Sequence, residues 1–150
     1  MMVQFLSGIP GVKNESERVF IDTSISTFED DLLTFYEDYL SVTDGGAPLD
    51  GTRFAMTPAT APGFFTFVDA VRNQGTPPVA LKGQITGPVT LATGVTDQNR
   101  RAIFYDDRLL DVAVKTLSLK ARWQVEHMAA FGKPDIVFID EPALAGFGTS

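Results

Sequence analysis

Hydrophobic positions along the chain are of two kinds: short apolar runs bounded by Gly, Pro and polar residues, and longer stretches in which they recur every three or four positions. The short runs predict extended segments at residues 3–6, 18–21, 54–56, 79–85 and 136–139. The longer stretches predict helices. From Ser26, Phe28, Leu32, Phe35, Tyr36, Tyr39 and Leu40 line one helical face, Ser26 and Glu29 have capping-box spacing, and Gly45, Gly46 and Pro48 stop the helix. A second helix over 61–73 has Phe64, Phe65, Val68 and Val71 as its apolar face, and Gly75, Pro77 and Pro78 end it. Pro88 suits the first position of a short helix. The longest helix, over 106–131, carries Leu110, Ala113, Val114, Leu117, Ala121, Val125 and Met128, with Gly132 and Pro134 as stop signals.

Strands therefore alternate with helices, which is the pattern of βα units on a parallel sheet. Four consecutive large apolar residues, Ile136 to Ile139, predict a strand buried on both faces. Three or four strands cannot close an eight-stranded barrel. The pattern leaves two architectures, a small open α/β domain or about half of a barrel, and in both the strand at 136–139 is an apolar edge open to self-association.

Composition narrows the function. The chain has 150 residues, 44% hydrophobic, enough for one core. A net charge of -7 without a cluster of Lys and Arg argues against nucleic-acid binding. No apolar run approaches the roughly 20 residues of a membrane span, and no basic-then-apolar secretion signal opens the chain, so a cytoplasmic setting is the default. With no cysteine and His127 as the single histidine, the chain cannot build a closed zinc site by itself.

Candidate chemistry gathers at predicted strand ends, where parallel α/β folds bind ligands. Asp140 and Glu141 follow the last strand. Adjacent residues of an extended chain point to opposite sides, so one of the pair, taken as Asp140, faces a site as a base or as a grip for an ammonium group. The alternative is a turn-capping Asp140 and a solvated Glu141. Residues 82–90, Lys-Gly-Gln-Ile-Thr-Gly-Pro-Val-Thr, present Gln84, Thr86 and free helix-start N–H groups to a carboxylate or phosphate, or form a tight turn with no ligand. Residues 57–60 close the preceding segment in a similar way. His127, Trp123 and the Phe64, Phe65, Phe67 cluster read as packing.

Residues 84–90, Gln-Ile-Thr-Gly-Pro-Val-Thr, followed about fifty residues later by Ile-Asp-Glu-Pro-Ala-Leu at 139–144, resemble the catalytic domain of cobalamin-independent methionine synthase and its relatives in the uroporphyrinogen decarboxylase-like superfamily, especially the short single-barrel members. The resemblance runs over most of the chain. It implies an α/β fold, a partial (β/α)8 TIM barrel of about half the full ring, as a single incomplete domain over residues 1–150 that lacks its first strand region and its C-terminal half. It implies a fragment of a zinc-dependent methyltransferase acting on a thiol such as homocysteine, with Asp140, Glu141, Gln84 and Thr86 binding substrate. No catalytic residue is assigned. Zinc belongs to the longer parent, whose His-x-Cys ligand segment this chain does not contain, and the chain alone is expected to be inactive. No Trp follows Thr90 where folate-using members carry one. A porphyrinogen-type decarboxylase or a corrinoid-linked methyltransferase is the alternative enzyme, and a non-catalytic half-barrel scaffold is the alternative of another class.

Overall fold

A computed structural model describes residues 3–15 and 18–146. In chain order they form α1 (Val3–Leu6), β1 (Val12–Glu15), β2 (Arg18–Ile21), α2 (Phe28–Thr43), α3 (Pro62–Asn73), β3 (Leu81–Thr86), α4 (Pro88–Gly94), α5 (Asp107–Ala129) and β4 (Asp135–Asp140). Short 3-10 turns at Ile103–Tyr105 and Pro142–Gly146 complete the set.

These elements correct the half-barrel expectation. Among the described residues the strands make two separate two-stranded sheets, β1 antiparallel to β2 and β3 parallel to β4, and no barrel arc joins them. Glu15 is paired directly with Arg18. So short a connection returns the chain antiparallel, whereas a parallel neighbour needs a crossover of a dozen residues or more. Residues 54–56 supply no strand; they lie in turns, with Phe54 and Met56 buried as core plugs. Val3–Leu6, expected as extended, is one helical turn that buries Phe5 and Leu6. Only β3, α4, α5 and β4 keep the βα order. They form a single crossover unit, with Leu81 opposite Asp135 and Thr86 opposite Asp140.

Helix boundaries sit close to the sequence reading, but the buried faces differ. α2 starts after Thr27 with no side-chain cap, and Glu29 instead accepts from Arg108 at 3.0 Å, so the Ser26–Glu29 box does not form. Leu40, expected inside, is exposed. On α5 the buried residues are Leu109, Val112, Ala113, Thr116, Leu117, Leu119, Lys120, Trp123, Gln124 and Met128, while Val114 and Val125 face outward. Asp106 caps α5, its carboxylate accepting from the Arg108 and Leu109 N–H groups at 3.0 and 3.2 Å.

The core lies between α2, α4, α5 and the 49–56 loop. Phe35 meets Phe54 edge-on at 5.4 Å, and Trp123 packs beneath Phe64 and Phe65 of α3. β4 stands at its margin. Ile136, Phe138 and Ile139 are about half exposed or more, at 50%, 49% and 61%, which corrects the expectation of a strand covered on both faces. α5 packs on one face of the β3–β4 pair, and nothing among the described residues covers the outer part of the other. No described helix is long and apolar enough to cross a membrane.

Candidate functional site

Parallel pairing in this register places Lys82, Gln84 and Thr86 of β3 on the same face as Ile136, Phe138 and Asp140 of β4. That face looks toward α3, and the two enclose a cavity of about 410 Å³ with Phe64, Phe67 and Met56 as its apolar wall. Of the four residues expected from sequence, Gln84, Thr86 and Asp140 line this cavity and Glu141 does not.

The polar side is a connected row. Lys82 donates to the Gln84 side-chain oxygen at 3.4 Å, and the Gln84 amide nitrogen donates to the Asp140 carboxylate. Gln84 thus links a cation to an anion across two strands. The ammonium of Lys82 also sits 4.2 Å from the centroid of the Phe138 ring.

Gln84 is held from behind. Its backbone N–H donates to the Gln124 side-chain oxygen at 3.1 Å, and its backbone carbonyl accepts from the Gln124 amide at 3.0 Å. One side chain of α5 therefore takes both outward backbone groups of Gln84, as a neighbouring strand would. Gly83 makes room for it, since a Cβ there would come within 2.5 Å of the Gln124 oxygen. The sequence reading missed Gln124, and also Lys82 and Met56 as site residues. No sequence signal marks Gln124, a polar residue on a helix face that also carries Thr116 and Lys120, and only packing turns it inward.

Glu141 turns away from Asp140 and anchors the crossover. Its two carboxylate oxygens accept from the N–H groups of Val89 and Thr90 at 2.9 and 2.7 Å, satisfying the open donors at the start of α4. Residues 57–60 fold into a local turn in which the Thr57 and Thr60 hydroxyls bond one another, and they stand off the cavity lining. His127 stacks on Trp123 at 3.7 Å, with Nδ1 2.9 Å from the Trp123 carbonyl and Nε2 3.4 Å from Asp50.

Two further polar groups on the buried face of α5, the Thr116 hydroxyl and the Lys120 ammonium, have no hydrogen-bond partner among the described residues. Burial pushes the Lys120 pKa down to about 8.

No family model, no curated protein and no solved structure matches this chain.

Proposed function

We propose that the cavity binds a small zwitterion of the amino-acid type, and that the reaction served is methyl transfer to a thiol-bearing amino acid such as homocysteine. The observation that carries the reading is the Lys82–Gln84–Asp140 row facing an apolar wall. A carboxylate at a strand end, with one oxygen held by Gln84, receives an ammonium group by charge-assisted hydrogen bonds, a nearby lysine receives a carboxylate, and Phe64, Phe67 and Met56 receive a short apolar or sulfur-containing side chain. One cation and one anion match a single amino acid better than they match a porphyrinogen, whose several carboxylates call for several cations.

The methyl transfer itself rests on the sequence resemblance. Its zinc is not fitted by the residues present: the chain has no cysteine, its one histidine is stacked on Trp123, and no three candidate ligands converge among the described residues. What this chain's residues supply is substrate positioning. Asp140 holds the amino group, Gln84 orients Asp140, and Gln124 fixes the strand that carries Gln84.

Calorimetric titration with L-methionine, and with the same compound lacking its amino group, tests the reading. Asp140→Asn is expected to weaken binding of L-methionine by roughly 10- to 100-fold, the range for a hydrogen bond to a charged group. Equal affinity for the amine-free compound would overturn the assignment.

A further inference from the structure

The two edges of the β3–β4 sheet are unlike. The ladder bonds run from the Leu81 N–H to the Pro134 carbonyl and from the Gly87 N–H to the Asp140 carbonyl, so the even-numbered residues of β4 aim their backbone at β3. Along a strand the backbone groups of successive residues alternate in side, so Asp135, Val137 and Ile139 aim theirs at the outer edge. β3 is the only strand paired with β4 among the described residues. The β3 edge is closed at Gln84 by the Gln124 amide, whereas the β4 edge is open and carries exposed Ile136, Phe138 and Ile139.

We propose that this edge pairs antiparallel with β4 of a second copy of the chain, with Val137 facing Val137 across a two-fold axis. Opposed residues of an antiparallel pair share a face, so an even register shift is required if the two cavity faces are to continue one another. Centring on Val137 uses all three outward residues, Val137 against its counterpart and Asp135 against Ile139 in both directions. It also sets Ile136 against Phe138 twice, covering the exposed apolar pair on the cavity face. Both registers oppose Asp to Ile, but centring one residue later would set Ile136 against Asp140 and so take it away from Phe138, leaving the exposed Ile136 on the cavity face without an apolar partner. Charge agrees with the chosen register: Lys133, just before the strand, comes opposite Glu141 of the second copy, whose carboxylate also caps α4, so opposite charges meet at each end of the pairing. The joined sheet has four strands with both cavities on one side, an isologous contact. The pairing does not depend on the ligand proposed above.

The absence of cysteine makes the register directly measurable. Directly opposed Cα atoms of an antiparallel pair are about 4.5 to 5.5 Å apart, within disulfide range, and diagonal ones are about 7 to 8 Å apart. Under mild oxidation, Val137→Cys is expected to cross-link to itself, Phe138→Cys alone to stay largely uncross-linked, and a mixture of Ile136→Cys and Phe138→Cys to form the mixed dimer. Light scattering on the unmodified chain should show a concentration-dependent rise toward twice 16.3 kDa, abolished by Phe138→Lys. A chain that stays at one mass up to millimolar concentration overturns the dimer, as does one that stays monomeric while another polypeptide occupies the edge. Self-linking of Phe138→Cys as efficient as that of Val137→Cys overturns the register. The cysteine series tests the pairing even if Phe138→Lys fails to fold.

Discussion

Lys120 is fully buried on α5 with no partner for its ammonium group among the described residues, one helical turn from the Gln124 that fixes the site strand. Burial disfavours the charged form and lowers its pKa from 10.5 to about 8. Between those values the unfolded chain binds the extra proton, so stability rises with pH across that window, and the full penalty, about 3 kcal/mol, is present below pH 8. Tyr36 acts in the opposite sense. Burial and its hydrogen bond to Asp111 push it up to about 12, so above pH 10 the unfolded tyrosine ionises first and stability falls. Urea unfolding of the native chain should therefore show stability climbing from about pH 8 to 10 and then declining. Lys120→Met should gain about 1–3 kcal/mol at pH 7 and lose the climb while keeping the decline. A flat profile for the native chain over pH 8 to 10 would mean that Lys120 finds solvent or a counter-ion. At this scale the sequence was legible where chemistry and position agreed: Asp140, Gln84 and Thr86 do share one cavity. It was opaque at Thr116, Lys120 and Gln124, because polar letters read as outward-facing and only packing reveals that they point inward.

At the scale of elements, the junction of β3, α4 and β4 depends on Glu141 more than on local propensity. α4 is a single short helix of 7 residues with no side-chain cap of its own at Gly87, and the carboxylate arriving from the end of β4 supplies the missing acceptor. Glu141→Gln retains one acceptor but removes the charge opposite the helix dipole, for an expected loss of about 1 kcal/mol, and Glu141→Ala about 2 kcal/mol. Gly87→Ala attacks the same contact from the other side, since its Cβ would lie 2.1 Å from the Glu141 carboxyl carbon. It should cost at least as much as Glu141→Ala, and the two changes together should cost less than their sum, because the alanine at 141 removes the clash. Strict additivity in thermal or urea melts would show that Gly87 is needed for its backbone rather than for this approach. The Gly-Pro start of α4 was readable from sequence because proline at the first turn and glycine before it follow local rules. The identity of the capping group was not, since it lies 52 residues away for Val89 and only the fold brings it near.

For the molecule as a whole, periodicity gave the types of the longer elements but misread the short runs at 3–6 and 54–56, and it gave no strand partners, which is where the barrel expectation failed. A run such as 18–21 reads as a strand whether its neighbour is parallel or antiparallel, and the pairing of Glu15 with Arg18 decided it. The same limit hid the asymmetry of the core. Every described residue after Met128 is at least partly exposed, while Trp123, Phe28, Phe35 and Phe54, the bulkiest fully buried side chains, come from α2, α5 and the loop between α2 and α3. Burial of that cluster is the main stabilising term, so α2 and α5 should open only with global unfolding, and β4 should open locally at much lower free energy. Amide hydrogen exchange in dilute solution should then rank Val112, Ala113 and Leu117 slowest. Within β4 a finer order is expected, with Ile136 and Phe138, whose amides face β3, slower than Val137 and Ile139, whose amides face the open edge. Protection of Val137 and Ile139 equal to that of the α5 core at every protein concentration would place β4 inside the cooperative unit. Protection of those two residues that grows with concentration, while α5 stays constant, is the pattern expected when a locally labile strand is held by a second copy rather than by its own core.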